Sequence, residues 1–235
     1  MPESEIALRR LKRNIKMIIE LHAHTAETSR CARVPAKEVV RRYKQAGYDA
    51  LTVTDHYSFR TFADFPEDGF DRKIDRLLSG YRAAREEGEK IGLRVFFASE
   101  CCFADHHNDY LVFGMDEDFI RHAPLISDLT LGEFLSIKPE NVLVYQAHPF
   151  RNGMIVINPE DVFGIEVYNG HFGHDSRNDI ASAWADKYRL HMISGTDFHY
   201  DSHTPTGGII TDVDVRDEKM LADILKSDKY TLKRG

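Results

Sequence analysis

Short, continuously apolar runs recur along the chain, and segments of helical period separate most of them. Strands are expected over residues 16–21, 49–54, 94–99, 109–113, 142–146, 164–168, 190–193 and 208–211. Helical spacing places Val39, Val40, Tyr43 and Ala46 on one face, in a helix opened by Pro35 and Ala36 and ended by Gly47. Ile74, Leu77, Leu78, Tyr81 and Ala84 mark one helix over residues 71–90. Ile180, Ala183, Trp184 and Tyr188 mark another, and residues 216–226 form a closing helix. At the N-terminus Leu8, Leu11 and Ile15 have helical spacing, with Arg9, Arg10, Lys12 and Arg13 between them. Residues 1–15 are therefore read as a helical extension with a solvated basic face, in preference to a phosphate-facing arm. The Phe-, Asp- and Pro-rich loop over residues 57–69 is the candidate lid.

Alternation of strand and helix, with strands apolar throughout, predicts an α/β protein with a parallel sheet buried on both faces. Seven or eight strands of this kind favour closure into a barrel over an open sheet. The length, 235 residues, suits one domain. The chain shows no internal repeat and no Pro/Gly-rich linker.

Composition narrows the function classes. The net charge of −7 argues against a broad nucleic-acid surface. Three cysteines, Cys31 and the adjacent Cys101 and Cys102, do not form a disulfide framework and suggest a reducing compartment. A charged N-terminus and the absence of a bilayer-length apolar run lead to the expectation of a cytoplasmic protein with no membrane partner.

The chemistry sits where the apolar runs end. His22 and His24 follow Met17-Ile18-Ile19, and residues two apart in a strand share a face, so both imidazoles can reach one ion. His56 ends the second strand, with Asp55 beside it to orient a ligand or hold the turn. Glu100 ends the third, as a turn cap or as a carboxylate bridging two cations. His148 follows Val142-Leu143-Val144-Tyr145, and Asp197 and His199 close the set. Imidazoles and carboxylates at successive strand ends would be costly to bury unpaired, so a metal centre is expected. Mixed nitrogen and oxygen donors suit Zn²⁺, Mn²⁺ or Fe²⁺.

In this order, His-x-His-Thr, Thr-Asp-His, Glu, Ala-His-Pro and Asp-x-His, the motifs resemble the polymerase and histidinol phosphatase (PHP) family between Glu20 and His199. The resemblance implies a single-domain, distorted (β/α)7 barrel of TIM-like form, with two or three divalent cations at the strand C-termini and phosphoester hydrolysis. By the same resemblance His22, His24, Glu100 and Asp197 hold one ion, and Glu100 bridges to a second. His148 binds the second ion with a residue from the strand after Glu100, and His56 and His199 bind the third. Two positions depart from the family pattern. Where many relatives have a histidine before the strand Leu111-Val112-Phe113, this chain has His106, His107, Asn108 and Asp109; Asp109 is taken as the ligand, with His107 as alternative. For the third ion only Glu27, a hard donor, and Cys31, a soft one, lie in the expected window.

Further roles follow from position. Glu100 and Asp197 are assigned to catalysis through the cations. Arg151, three residues after His148, is expected to fork onto a phosphate, the alternative being a solvent-facing side chain. His171 either protonates a leaving oxygen or binds substrate, unless it and its neighbours His174 and Arg177 form a plain surface loop; Arg177 is the other substrate-binding candidate. Thr25 and Asn169 shape the mouth, Cys101 and Cys102 pack in the strand, and Gly207-Gly208 allows a close backbone approach or a simple turn. The expected function is a metal-dependent phosphoesterase acting on a small phosphorylated substrate or a short nucleic-acid end. An amidohydrolase-type C–N hydrolase and a non-catalytic metal-binding module are the alternatives.

Overall fold

The computed structural model describes residues 16–235, so the helix expected over residues 1–15 lies outside the described residues. Ten strands form one sheet: β1 (Met17–Ala23), β2 (Ala50–Val53), β3 (His56–Tyr57), β4 (Arg94–Cys102), β5 (Asp109–Phe113), β6 (Leu143–Gln146), β7 (Gly164–Asn169), β8 (His191–Gly195), β9 (Ile209–Thr211) and β10 (Thr231–Leu232). Their hydrogen-bonded order is β10-β9-β1-β2-β4-β5-β6-β7-β8, with β3 added to β4. The segment after β8 returns to the end of β1. There Asp197 N donates to His22 O at 2.8 Å and His24 N to Phe198 O at 3.0 Å. The sheet is thus a nearly closed barrel, in agreement with the expected α/β class.

The expectation of a wholly parallel sheet is corrected. β1/β2, β2/β4, β6/β7 and β7/β8 are parallel, but β5 runs antiparallel to both neighbours. The reason is the length of the link from Cys102 to Asp109, which is far too short for a crossover helix. β9 is also antiparallel to β1, through Met17, Ile18 and Ile19.

Seven helices are described: α1 (Ala36–Gln45), α2 (Phe70–Leu77), α3 (Ser79–Ile91), α4 (Glu117–His122), α5 (Leu131–Ile137), α6 (Asn178–Tyr188) and α7 (Glu218–Ser227). The single helix expected over 71–90 is two. The Thr28 hydroxyl donates to Arg76 O at 3.1 Å and accepts from Gly80 N at 3.1 Å, so it interrupts the helical ladder at Leu78. α1 ends as expected, with Gly47 in the left-handed region at φ +83°.

Three apolar clusters hold these layers. Ile19, Leu21, Phe96, Leu111, Tyr145 and Ile193 fill the barrel, and Leu221 and Leu225 of α7 pack against them. Val39, Val40 and Tyr43 of α1 pack on Leu51 and Val53, and Phe134, Ala181 and Ala185 pack on the β4–β7 side. Each fully buried Val, Leu, Ile or Phe among them contributes roughly 1.5–3 kcal/mol. Gly207 is a close approach, not a simple turn: a Cβ there would lie 2.0 Å from the Gly195 carbonyl carbon. The loop over 57–69 is pinned by buried Tyr57 and Phe62, which argues against a free lid. Among the described residues no helix is long and apolar enough to cross a membrane.

Candidate metal centre

At the strand ends the predicted donors converge. Glu100 is the hub. Its Oε1 lies 3.3 Å from His22 Nε2 and 3.1 Å from His148 Nε2. Its Oε2 lies 3.3 Å from His24 Nε2 and 3.0 Å from His56 Nδ1. Each oxygen therefore faces a different pair of imidazoles, the arrangement a bridging carboxylate requires. Asp197 Oδ1 adds contacts of 3.4 Å to His22, 3.5 Å to His24 and 3.1 Å to His199. Three groups can each hold a cation: His22, His24 and Asp197; His24, His56 and His199; and Glu100, Asp109 and His148. In each, the donor atoms lie within 4.8 Å of one another. The third group contains Asp109 and not His107, although His107 also lines the cavity.

Hydrogen bonds behind the imidazoles fix which nitrogen faces inward. His22 Nδ1 donates to Glu166 Oε1 at 2.9 Å, so a neutral ring presents a bare Nε2 lone pair. His24 Nδ1 meets Ser29 Oγ at 3.1 Å, while that hydroxyl's own proton goes to Asp55 Oδ1 at 2.6 Å. His24 must then be the donor, and its Nε2 is also bare. The two lone pairs face each other at 3.1 Å, between two carboxylates. With both rings neutral such a donor set lacks a positive centre, and a divalent cation supplies one. Asp55 both orients His24 through Ser29 and holds the turn, accepting from Thr25 N at 2.7 Å.

Without a cation, a proton takes that place. Burial acts to lower the His22 pKa, but Asp197, Glu166 and Glu100 hold it well above the ordinary imidazole value. Burial likewise opposes ionisation of Glu100 and Asp197, yet His22 and the surrounding imidazoles hold both carboxyls well below their usual range. Asp109 is pushed up by burial and by the Glu100 charge.

Two functional carboxylates escaped the sequence reading. Glu166 is buried in β7 and binds both sides of the centre: Oε1 takes His22 Nδ1, and Oε2 accepts from His148 N and Asn169 Nδ2, each at 2.9 Å. Glu20 joins β1 to β8. Its Oε1 accepts from the Leu21, His22 and Thr196 amides at 2.9 Å, and its Oε2 from Tyr43 OH at 2.9 Å and from the Thr196 hydroxyl. The only sequence signal for either was a carboxylate inside an apolar run. We expect Glu166→Gln to lower cation affinity by about 10–100-fold, because the His22 ring loses its ionic anchor. Competition against a chromogenic chelator would measure it, and unchanged affinity would refute the role.

His148 and Asp197 have φ of +27° and +55°. Non-glycine residues rarely adopt this region, at a cost of about 1–3 kcal/mol each. Both turn a donor inward where a strand ends.

His56, Glu100, Asp109, His148, Asp197 and His199 line a cavity of 670 Å³ together with Arg151, His171 and His174, and His174 Nε2 lies 3.5 Å from Asp197 Oδ2. Arg30, Arg60, Phe59 and Tyr200 also line it, none of them foreseen. Arg177 does not line it: its guanidinium is committed to Phe150 O and, at 2.6 Å, to Asn152 Oδ1, so it braces the segment that carries Arg151. This corrects the expectation that Arg177 touches substrate. Glu27 is also elsewhere, its two oxygens accepting from Ala36 N at 3.0 and 2.9 Å as a helix cap. Cys101 is buried as expected, whereas Cys102 reaches the cavity wall.

The PHP domain family model matches residues 20–227. No curated protein matches the sequence. A two-domain protein of Bacteroides vulgatus, described as containing a predicted PHP-like metal-dependent phosphoesterase, superposes with TM-score 0.63 at 18% identity. The alignment covers 93% of this chain and 65% of that one, so the chain spans just under two thirds of the relative's length. A protein of Bifidobacterium adolescentis, provisionally described as a metal-dependent phosphoesterase, gives TM-score 0.55 at 13% identity, over 88% and 95% of the two chains. An amidohydrolase of Chromobacterium violaceum, solved with bound sulfate and no metal, gives 0.50 at 14%, over 92% and 97%. At these identities the likeness is one of fold. With the family match spanning the whole ligand set, from the His22/His24 pair to His199, the chain belongs to the PHP domain family.

Proposed function

We propose that the chain is a metal-dependent hydrolase of small phosphoesters. The observation that carries this reading is that Arg60 and Arg151, with Arg30 ion-paired to Asp64 at 3.0 Å, line the same cavity as the carboxylate–imidazole cluster. Guanidinium groups beside cation-binding donors select an anionic substrate. The volume of 670 Å³ is that of a small-molecule site, which favours a phosphorylated metabolite or a single strand end over duplex nucleic acid.

When bound, divalent cations at this cluster lower the pKa of a water towards neutrality and offset charge on phosphoryl oxygens. The chain's own residues do the rest. Arg151 offers a planar fork to a phosphate oxygen pair. His171 is held neutral, its pKa pushed down to about 4 chiefly by burial, with His174, His203 and His199 acting the same way against Asp197. Gly173 N donates to His171 Nδ1 at 2.9 Å, so the ring proton sits on Nε2. His171 is thus a neutral hydrogen-bond donor to substrate oxygen, and the proton-releasing alternative loses support. Asn169 steadies Asp197 Oδ2 from 3.1 Å.

Hydrolysis of a panel of small phosphomonoesters and phosphodiesters, with amides and lactams as controls, tests this reading. Phosphoester turnover should vanish after chelation and return with Mn²⁺ or Zn²⁺. Turnover of amides alone, or full activity in stripped protein, would overturn it.

A further inference from the structure

Cys31 stands on the cavity wall beside the cluster of His24, His56 and His199. Its Sγ lies 3.2 Å from His199 Nε2. The other nitrogen of that ring, Nδ1, faces the Asp197 carbonyl oxygen at 3.0 Å and Asp197 Oδ1 at 3.1 Å, so Nδ1 carries the proton. Once the ring is neutral, as a bound cation requires, its Nε2 lone pair is the one on the side of the sulfur. The hard donor that could have completed this corner, Glu27, is spent on the amide of Ala36.

Distance supports a shared cation. With zinc bonds of about 2.3 Å to sulfur and about 2.0–2.1 Å to nitrogen, tetrahedral geometry separates the two donors by roughly 3.6 Å. The observed separation is within a few tenths of an ångström of that, and a change of that size is available to a half-buried side chain. We infer that Cys31 is a thiolate ligand, joining His56 and His199 in a cation site that selects a softer ion such as Zn²⁺ over Mg²⁺ or Mn²⁺. This inference rests on the proposed metal-dependent function and assigns the composition of one corner of that centre. Binding releases to solvent the proton held between Cys31 and His199, as the sulfur–cation and nitrogen–cation bonds form.

Cobalt(II) substitution of the full chain provides the test. A near-ultraviolet sulfur-to-cobalt charge-transfer band should appear on loading, alongside the visible ligand-field bands of nitrogen and oxygen sites. Cys31→Ser and Cys31→Ala should each remove the charge-transfer band, lose one equivalent of bound cobalt, and weaken zinc binding at that equivalent by roughly a hundredfold or more. Cys102→Ser, which removes the other thiol on the cavity wall, should leave the band intact. A folded, cobalt-loaded native protein with no such band would show that Cys31 only hydrogen-bonds to His199, and would overturn the inference while leaving phosphoesterase turnover to be judged separately. Persistence of the band in Cys31→Ser would overturn it as well. Failure of the chain to bind cobalt at all would defeat both this inference and the proposed function.

Discussion

Replacing Glu100 by glutamine is expected to cut phosphoester hydrolysis by roughly a thousandfold or more. The side chain is nearly isosteric, so the cavity keeps its shape. What disappears is the charge that both imidazole pairs share: His22 and His148 at one oxygen, His24 and His56 at the other. An amide offers one acceptor oxygen and turns a donor nitrogen towards the other pair. Cation content should therefore fall in the same preparation. Glu100→Asp tests the geometry separately, since it keeps the charge but retracts it by one methylene and cannot touch both pairs. Elemental analysis alongside turnover number settles the matter. A fully loaded Glu100→Gln protein with near-native turnover would refute the bridging role.

The second large effect is on stability, and its pH dependence should differ between stripped and cation-loaded protein. Without cations, His22, His56 and His148 have raised pKa values, and that of His199 is raised to about 10 by Asp197 and Cys31 against burial. Glu100 and Asp197 have lowered ones. Raised imidazoles stabilise fully below their unfolded value of about 6.5, and the benefit is lost as pH climbs through the folded values. Lowered carboxyls stabilise above their unfolded value of about 4, and the benefit is lost as pH falls. The cation-free protein should be most stable in mildly acidic buffer and weaken from neutral to alkaline pH. Bound cations need those imidazoles deprotonated, so their stabilisation grows as pH rises. At cation concentrations about a thousandfold above Kd the gain is roughly 4 kcal/mol, or about 10 °C in Tm for a chain of this size. Thermal melts of stripped and loaded protein at mildly acidic, neutral and mildly alkaline pH would show the gap widening. A gap that stays constant or narrows would mean that the cations do not compete with protons for these rings.

The barrel and its primary donors could be read in advance because each donor ends an apolar run and so announces its own strand. Glu166 could not. Its partner, His22, lies at the other end of the chain's path around the barrel, and pairing across that distance leaves no local pattern. The positive φ of His148 and Asp197 was also invisible, because neither residue type demands it. Helix α5 was legible in principle, since Thr130 and Glu133 form a reciprocal cap at its start. The reversal of β5 was legible too, from the shortness of the link that precedes it. Arg30 and Arg60 lie in segments without strand character, and only the folded chain brings them over the cavity.

Where β8 meets β1, the barrel is joined by the amides and carbonyls of His22, His24, Asp197 and Phe198, and three of these four residues also carry the donors described above. The clasp of the cylinder and the chemical centre are therefore the same few residues. An ion seated there acts as a rivet through the joint, and a change that loosens the joint disarms the chemistry before the remainder of the molecule unravels.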